Sequence, residues 1–415
     1  MGFTRLFESL EVQLPPVWSP GVTLSKLILD KMCEDFRQVA YVYKSNTMIL
    51  SLGKAGPQIV KATSQALTDQ GLEHEVVSCA RTTLIVVKAD VDHLPGHIFS
   101  HLGGVEKVVR LTGRVPLSQD LGRSLVKLGE NVFVGGGQPV IIAGPCSIES
   151  REQIAELVPA VKAAGALALR GGAYKPRTSA YDFQGLGLEG LKYLSEAGRA
   201  LGLPVISEVM SVEQVEEAAP YLDVFQVGAR NMYNYELLRE LGRRRKPVLL
   251  KRAMSATIDE LLQSAEYVLL QGNLQVILCE RGIRTFETRT RNTLDLSAVA
   301  VIKSLTSLPV IVDPSHALGK RDLIPALSRA AIACGADGLI IETHCQPERS
   351  ISDAAQAIDP STLARIVRDS QAIAQTLTAL DNSDCSGQAQ SCDPGKQKQS
   401  ISEMRSQQPD YLALT

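Results

Sequence analysis

VIIAGPC (140–146), LALRGG (167–172), LPVISEV (203–209), VFQVGAR (224–230), PVLLKRA (247–253), VILCERG (276–282), PVIVDPSH (309–316) and GLIIETH (338–344) succeed one another along the 415-residue chain. Each run is almost continuously apolar and rich in Val, Ile and Leu, the pattern of a parallel strand buried on both faces. Helical patterns separate them, for example Glu152–Ala164, Ile258–Gln271 and Asp322–Cys334, and Ser150 with Gln153 has the spacing of a capping box at the first of these. Eight such units within residues 120–381 predict an α/β fold of the TIM (β/α)8 barrel type. An open doubly wound sheet would show fewer strands and a glycine-rich dinucleotide turn.

Upstream, the stretch 121–138 containing VKLGENVFVGGG reads as a hairpin leading into the barrel, its glycines 135–137 making the turn; they lack the Lys-Ser/Thr of a phosphate loop. Further upstream the period changes. MILSL (48–52), a helical PQIVKATSQALTDQG (57–71), the alternating runs EHEVVSC and TTLIVVK, a helical piece at 92–103 and EKVVRLT (106–112) give the order βαββαβ. That order predicts a small ferredoxin-like domain over 47–115, with Gly71 as the left-handed cap of its first helix. Residues 1–46 form an N-terminal extension with a helical pattern over 24–42 and no assignable role, and 382–415 turn polar enough to predict a disordered tail.

Composition narrows the class. Lys plus Arg number 43 against 45 Asp plus Glu, a net charge of −2, so no basic stripe for nucleic acid and no polybasic membrane anchor is expected. No apolar stretch reaches the roughly 20 residues of a spanning helix and no signal peptide opens the chain, which predicts a cytoplasmic protein. The scattered cysteines include no CxxC pair and read as reduced thiols, with Cys79, Cys279 and Cys334 serving as small apolar residues. His93, His97 and His101 recur every four residues, but Pro95 and Gly96 interrupt the turn, and a solvated helix face is the better reading.

Barrel enzymes carry their chemistry at the carboxyl ends of the strands. Here those ends gather Arg170, Lys175, Arg177, Arg230, Lys251, Arg252, Arg281 and Arg284, against Glu208 on the third run. Burying so many cations without partners is costly, so anionic substrates are implied, with phosphates and carboxylates suiting Arg forks and Lys point charges. Some of these cations would instead pair with Glu208, Glu280 or Asp182. The same rim carries Cys146, His316, Glu342 and Asp353, a mixed sulfur, nitrogen and oxygen set that suits Mn, Fe, Co or Zn without selecting one. Cys146 as plain core and His316 as a hydrogen-bonded loop residue is the alternative.

The segments GPCSIES (144–150), LRGGAYKPRTSAYDFQGLG (169–187), GARNMYN (228–234), LLKRAMSAT (249–257), CERGIRTFE (279–287) and DPSHALGKRDL (313–323) closely resemble the 3-deoxy-D-arabino-heptulosonate 7-phosphate (DAHP) synthases, of the type whose barrel follows a ferredoxin-like regulatory domain. The likeness spans about 47–380. It implies condensation of phosphoenolpyruvate with erythrose 4-phosphate, the first step towards aromatic amino acids. By motif position it implies a divalent metal on Cys146, His316, Glu342 and Asp353; phosphoenolpyruvate on Arg170, Lys175, Arg230, Lys251 and Arg281; and the aldose phosphate on Arg177 and Thr178. Lys175, Cys146 and His316 are the implied catalytic residues, with Lys175 both touching phosphoenolpyruvate and donating a proton. An aromatic amino-acid effector (Tyr, Phe or both) and a homotetramer or homodimer are further implications. Two departures stand out: Cys345 where the family pattern leads one to expect Pro, placing a second thiol near the metal, and Ala180 where a Pro is common.

The nearest rival is 3-deoxy-D-manno-octulosonate 8-phosphate synthase, which uses arabinose 5-phosphate; it carries an Asn-containing segment where this chain has Lys175, Pro176, Arg177 and Thr178. The rival of another class is a catalytically silent aromatic amino-acid sensor or partner of chorismate mutase. Loss of a metal ligand or of Lys175 would mark it, and all are present.

Overall fold

The computed structural model describes residues 47–388 except 54, 79–81, 89–98, 100–101, 112–117, 119–123, 178 and 180. The leader 1–46, Cys79, the three spaced histidines, Thr178, Ala180 and residues 389–415 therefore lie outside the described residues.

The first described elements are β1 (Thr47–Ser51), α1 (Pro57–Asp69), β2 (His74–Ser78), β3 (Thr83–Lys88) and β4 (Lys107–Leu111). They make one antiparallel sheet in the order β2-β3-β1-β4, the strand order of a ferredoxin-like module. Met48, Leu50, Leu67, Ile85, Val87 and Phe99 form its own apolar core. Gly71, at φ +74°, closes α1 as its spacing predicted, with Leu72 N donating back to Leu67 O at 3.0 Å.

A hairpin of β5 (Val126–Gly129) and β6 (Val132–Val134) follows. Its turn is made by Glu130 and Asn131, and the glycines at 135–137 come after β6 rather than in the turn. Val126, Leu128 and Val134 pack into the barrel interior and plug its amino-terminal end.

β7 (Val140–Gly144), β8 (Ala168–Arg170), β9 (Val205–Glu208), β10 (Val224–Val227), β11 (Val248–Lys251), β12 (Val276–Glu280), β13 (Val310–Val312) and β14 (Gly338–Glu342) are the eight apolar runs. They pair in parallel and in chain order, and β14 closes on β7 with Glu342 opposite Gly144. Period-two alternation divides each strand between two cores. Ile142, Ala168, Ile206, Val224, Leu249, Ile277, Ile311 and Ile340 fill the barrel, whereas Ile141, Leu169, Val205, Phe225, Leu250 and Leu278 face the surrounding helices. Those helices are α2 (Arg151–Ala163), α3 (Gly187–Ala200), α4 (Val212–Ala218), α5 (Tyr235–Arg244), α6 (Ile258–Leu269), α7 (Leu296–Leu305), α8 (Pro314–Leu318), α9 (Ile324–Ala333) and α10 (Pro360–Gln388). The last continues past residue 381 into the polar stretch.

Ser150 caps α2 by accepting from Gln153 N at 3.1 Å, but the Gln153 side chain returns to Glu149 N rather than to the cap, so the box is only half made. Both arms of such a box occur at α6, between Thr257 and Glu260. Cys279 lies inside the barrel, whereas Cys334 caps α9 and is exposed, contrary to its apolar sequence setting.

Arg252 also departs from its expected place among the substrate-facing cations. Buried, it donates through Nη1 to Glu280 at 2.9 Å and Asp295 at 3.0 Å, and through Nε to Ala256 O. Removing one partner of a buried ion pair leaves the other charge unpaired at a cost of about 3–5 kcal/mol. Arg252→Met should lower stability by about that amount in urea denaturation, whereas an exposed-pair control such as Arg151→Met should change it by about 1 kcal/mol or less.

Candidate active site

Closure of β14 onto β7 brings together side chains remote in sequence. Cys146 lies just after β7, Glu342 ends β14, His316 is in α8 after β13, and Asp353 is in the loop before α10. One ligand atom from each lies within 4.8 Å of all the others. A first-row cation at about 2.0–2.3 Å from each ligand would hold any two at most about 4.6 Å apart, the same scale as this cluster.

The protonation states suit a cation as well. Burial pushes His316 below its usual range against the pull of Asp313 and Glu342. Its Nδ1 faces Asp313 Oδ2 at 2.7 Å, which directs Nε2 to the cluster, 3.2 Å from Glu342 Oε1. Burial acts to raise Glu342, but His316, Arg170 and Lys175 outweigh it and hold the carboxyl at about 2, ionised. The Cys146 thiol is driven far up, first by burial and then by Glu342, so thiolate forms there only with a cation to stabilise it. Asp353 has φ +54°, a left-handed backbone uncommon for a residue with a side chain, and its Oδ2 receives Cys146 Sγ at 3.3 Å. The four donors thus fit a divalent metal.

Beside the cluster opens a cavity of about 370 Å³ lined by Arg170, Lys175, Arg177, Arg230, Lys251 and Arg281, together with Arg284 and Arg291. Every cation that the sequence assigned to phosphoenolpyruvate lines it, and Arg177 joins them. Arg170 is anchored by Glu342 (2.9 Å) and Pro145 O (3.0 Å) while its buried Nε has no partner. Arg281 reaches His316 O at 3.3 Å with Nη2 and leaves its buried Nη1 without a partner. Such donors are costly to bury unless a ligand accepts from them. Arg177 is tied to Phe183 O at 3.1 Å and to the Ser352 hydroxyl, one residue from Asp353.

Lys175 stands between cavity and cluster. Its Nζ donates to Cys146 O at 2.8 Å and to Cys146 Sγ at 3.1 Å. Gly172 makes this approach possible, since a Cβ there would lie 2.5 Å from Cys146 O and 2.8 Å from Lys175 Cδ.

Several participants carried no legible signal in the sequence. Arg291 lines the cavity and donates to Asp353 Oδ1 (3.2 Å) and Gln356 Oε1 (2.9 Å); Gln356 in turn donates to Glu342 Oε2 at 2.6 Å. Gln226 lines the same cavity and donates to Glu208 Oε2 at 3.1 Å, leaving Glu208 Oε1 buried without a partner. Cys345, expected near the metal, is instead partly buried against the core between strands and helices. Burial and Glu156, on α2, raise its thiol, and it is not among the clustered donors. Cys345→Ser is therefore expected to lose activity to peroxide at the wild-type rate; a clear slowing would place its thiol back at the site.

A family model described as the DAHP synthetase I family matches residues 118–378. The chain is 46% identical over 301 residues to the phospho-2-dehydro-3-deoxyheptonate aldolase of Thermotoga maritima, across 71% of this chain and 88% of that protein. It is 32% identical over 266 residues to the 2-dehydro-3-deoxyphosphooctonate aldolase of Geobacter sulfurreducens, across 59% of this chain and 95% of that protein. The solved structure of the Thermotoga maritima DAHP synthase matches with a TM-score of 0.62 at 41% identity, covering 80% of this chain and 98% of that chain. A truncated form of the 3-deoxy-D-arabino-heptulosonate 7-phosphate synthase from the same organism matches with a TM-score of 0.59, covering 64% of this chain.

Proposed function

Because the chain belongs to the DAHP synthetase I family and is an enzyme of the 3-deoxy-7-phosphoheptulonate synthase class, a transferase, we propose that it condenses phosphoenolpyruvate with erythrose 4-phosphate and water at this site. The observation that carries the proposal is the contact of two unlike halves, a cationic cavity and a mixed-donor cluster, through Lys175. Substrates with several anionic oxygens answer the first half, and an aldehyde that must be polarised answers the second.

In this reading Arg170, Lys175, Arg230, Lys251 and Arg281 hold the phosphate and carboxylate of phosphoenolpyruvate, with the unpartnered donors of Arg170 and Arg281 completing their bonds on it. Arg177, with Thr178, holds the phosphate of the aldose after exchanging its bond to Ser352. A divalent cation held by Cys146, His316, Glu342 and Asp353 would supply Lewis acidity to the aldehyde oxygen. The cations offset the repulsion between the two anions and fix C3 of the enol against the aldehyde carbon. As that carbon–carbon bond forms, Lys175, already within 3.1 Å of Cys146 Sγ, delivers a proton to the former aldehyde oxygen. Water adds at C2, and phosphate departs by cleavage of its bond to that carbon.

The octulosonate synthase reaction is the second reading, favoured by the Geobacter sulfurreducens relative. KPRT at 175–178 and the higher identity to the heptonate aldolase weigh against it. Offering erythrose 4-phosphate and arabinose 5-phosphate separately decides between them: loss of phosphoenolpyruvate with the tetrose alone is expected, and turnover with the pentose alone would overturn the reading.

The organisation at 47–115 and 120–381 supports a regulatory role for the smaller unit, which has its own sheet and core. Tyr, Phe or both would act there, in a homotetramer or homodimer, through two states of differing affinity. Equal velocity with and without each amino acid would remove that role. Among the described residues no helix is long and apolar enough to cross a membrane, and Cys146, Cys279, Cys334 and Cys345 are free thiols, which supports a cytoplasmic setting.

A further inference from the structure

Asp313 belongs to neither ligand set, yet it touches both. It lies at the end of β13, 1% exposed, and caps α8 by accepting from His316 N through Oδ1 at 2.9 Å. Its other oxygen, Oδ2, takes two donors at once: His316 Nδ1 at 2.7 Å and Lys251 Nζ at 2.5 Å. We propose that Asp313 is a positioning residue shared by the two halves of the site, orienting the metal ligand His316 and restraining Lys251 from the incoming anion until a cation occupies the cluster. The inference rests on the assignment of the metal and phosphoenolpyruvate sites above.

His316 and Lys251 compete for a single acceptor oxygen. A cation on His316 Nε2 withdraws electron density from the ring and makes its Nδ1–H a stronger donor, so Oδ2 commits further to the imidazole. Its hold on Lys251 weakens correspondingly. Lys251 is a flexible point charge lining the cavity, 4% exposed, and Asp313 is its carboxylate partner. Once released, its ammonium completes the anion cradle beside the unpartnered Nη1 of Arg281. In the absence of a cation, the buried Asp313 charge both occupies Lys251 and repels an anion, and burial strengthens such interactions. Metal and phosphoenolpyruvate therefore bind with positive coupling, and the coupling is reciprocal.

Asp313→Asn tests this in the full chain, because the amide keeps the size of the side chain and an oxygen acceptor for the α8 cap. Mn2+ affinity is read by equilibrium dialysis and phosphoenolpyruvate affinity by calorimetry, with and without chelator. Mn2+ affinity is expected to fall about 10- to 100-fold, the usual effect of losing a partner of a metal-bound histidine. Phosphoenolpyruvate affinity in chelator is expected to move the opposite way, rising about fivefold or more, the low end of coupling between linked sites. A purely structural carboxylate would weaken both, so an unchanged or lower phosphoenolpyruvate affinity overturns the proposal, as does unchanged Mn2+ affinity. If the Asn variant does not fold, Lys251→Met removes the competing donor instead; tighter Mn2+ binding is then expected, and unchanged or weaker binding overturns the proposal. Wild-type protein that binds neither probe would refute the site assignment and this inference with it, whereas normal wild-type binding with an unresponsive variant refutes the inference alone.

Discussion

Cys146→Ser is expected to reduce turnover by about three orders of magnitude and to remove most of the affinity for a divalent cation, while leaving the barrel folded. The cluster offers one sulfur, one imidazole and two carboxylates, and Cys146 is the donor closest to Lys175. Lewis-acid stabilisation is worth several kcal/mol, and each 1.36 kcal/mol is about tenfold in rate, which gives the magnitude. A serine hydroxyl in the same place is a far poorer ligand, because it would have to ionise in the surroundings that already drive the thiol so high. Circular dichroism and metal content measured on the same sample separate loss of metal from loss of fold. A variant with normal metal content and normal turnover would remove Cys146 from the site.

The second large effect is expected at Lys175. Lys175→Met keeps the length of the side chain and deletes its charge and its proton. General acid catalysis contributes about 10²- to 10⁴-fold, so kcat should fall within that range. Phosphoenolpyruvate binding should weaken far less, because Arg170, Arg230, Lys251 and Arg281 still line the cavity. Metal content should be unchanged, since Lys175 donates to Cys146 and is not itself a ligand. The split between kcat and binding is the informative readout. Equal losses in both would make Lys175 an anion ligand alone.

Much of this was legible in the sequence for a definite physical reason. A strand buried on both faces must be apolar throughout, so each barrel strand announces itself in a run such as VIIAG or GLIIE. Barrel closure then fixes where their carboxyl ends meet, which is why Cys146 and Glu342 could be placed together although almost the whole barrel separates them. Charged residues at strand ends were equally visible, but which way they turn was not. Arg252 has the same sequence setting as Lys251, its neighbour, yet alternation sends it outward to Glu280 and Asp295. Cys345 shows the same limit, since a place beside the eighth strand end does not tell whether its thiol joins the cluster or meets Glu156. Arg291 and Gln356 were invisible because they act from loops with no periodicity, and their role comes only from the partners they reach. Asp313 lies in the recognisable DPSH segment, but its contact with Lys251 joins β11 to the end of β13 across the intervening β12, which no local pattern shows.

The central claim is that one cation, bound by Cys146, His316, Glu342 and Asp353, serves the condensation carried out in the adjoining cationic cavity. It is tested most directly by following phosphoenolpyruvate consumption with erythrose 4-phosphate in chelator-stripped protein, and then during titration with Mn2+. Negligible turnover before titration, restored in full near one equivalent per chain, is the result this account predicts; undiminished turnover in protein shown to contain no metal would contradict it.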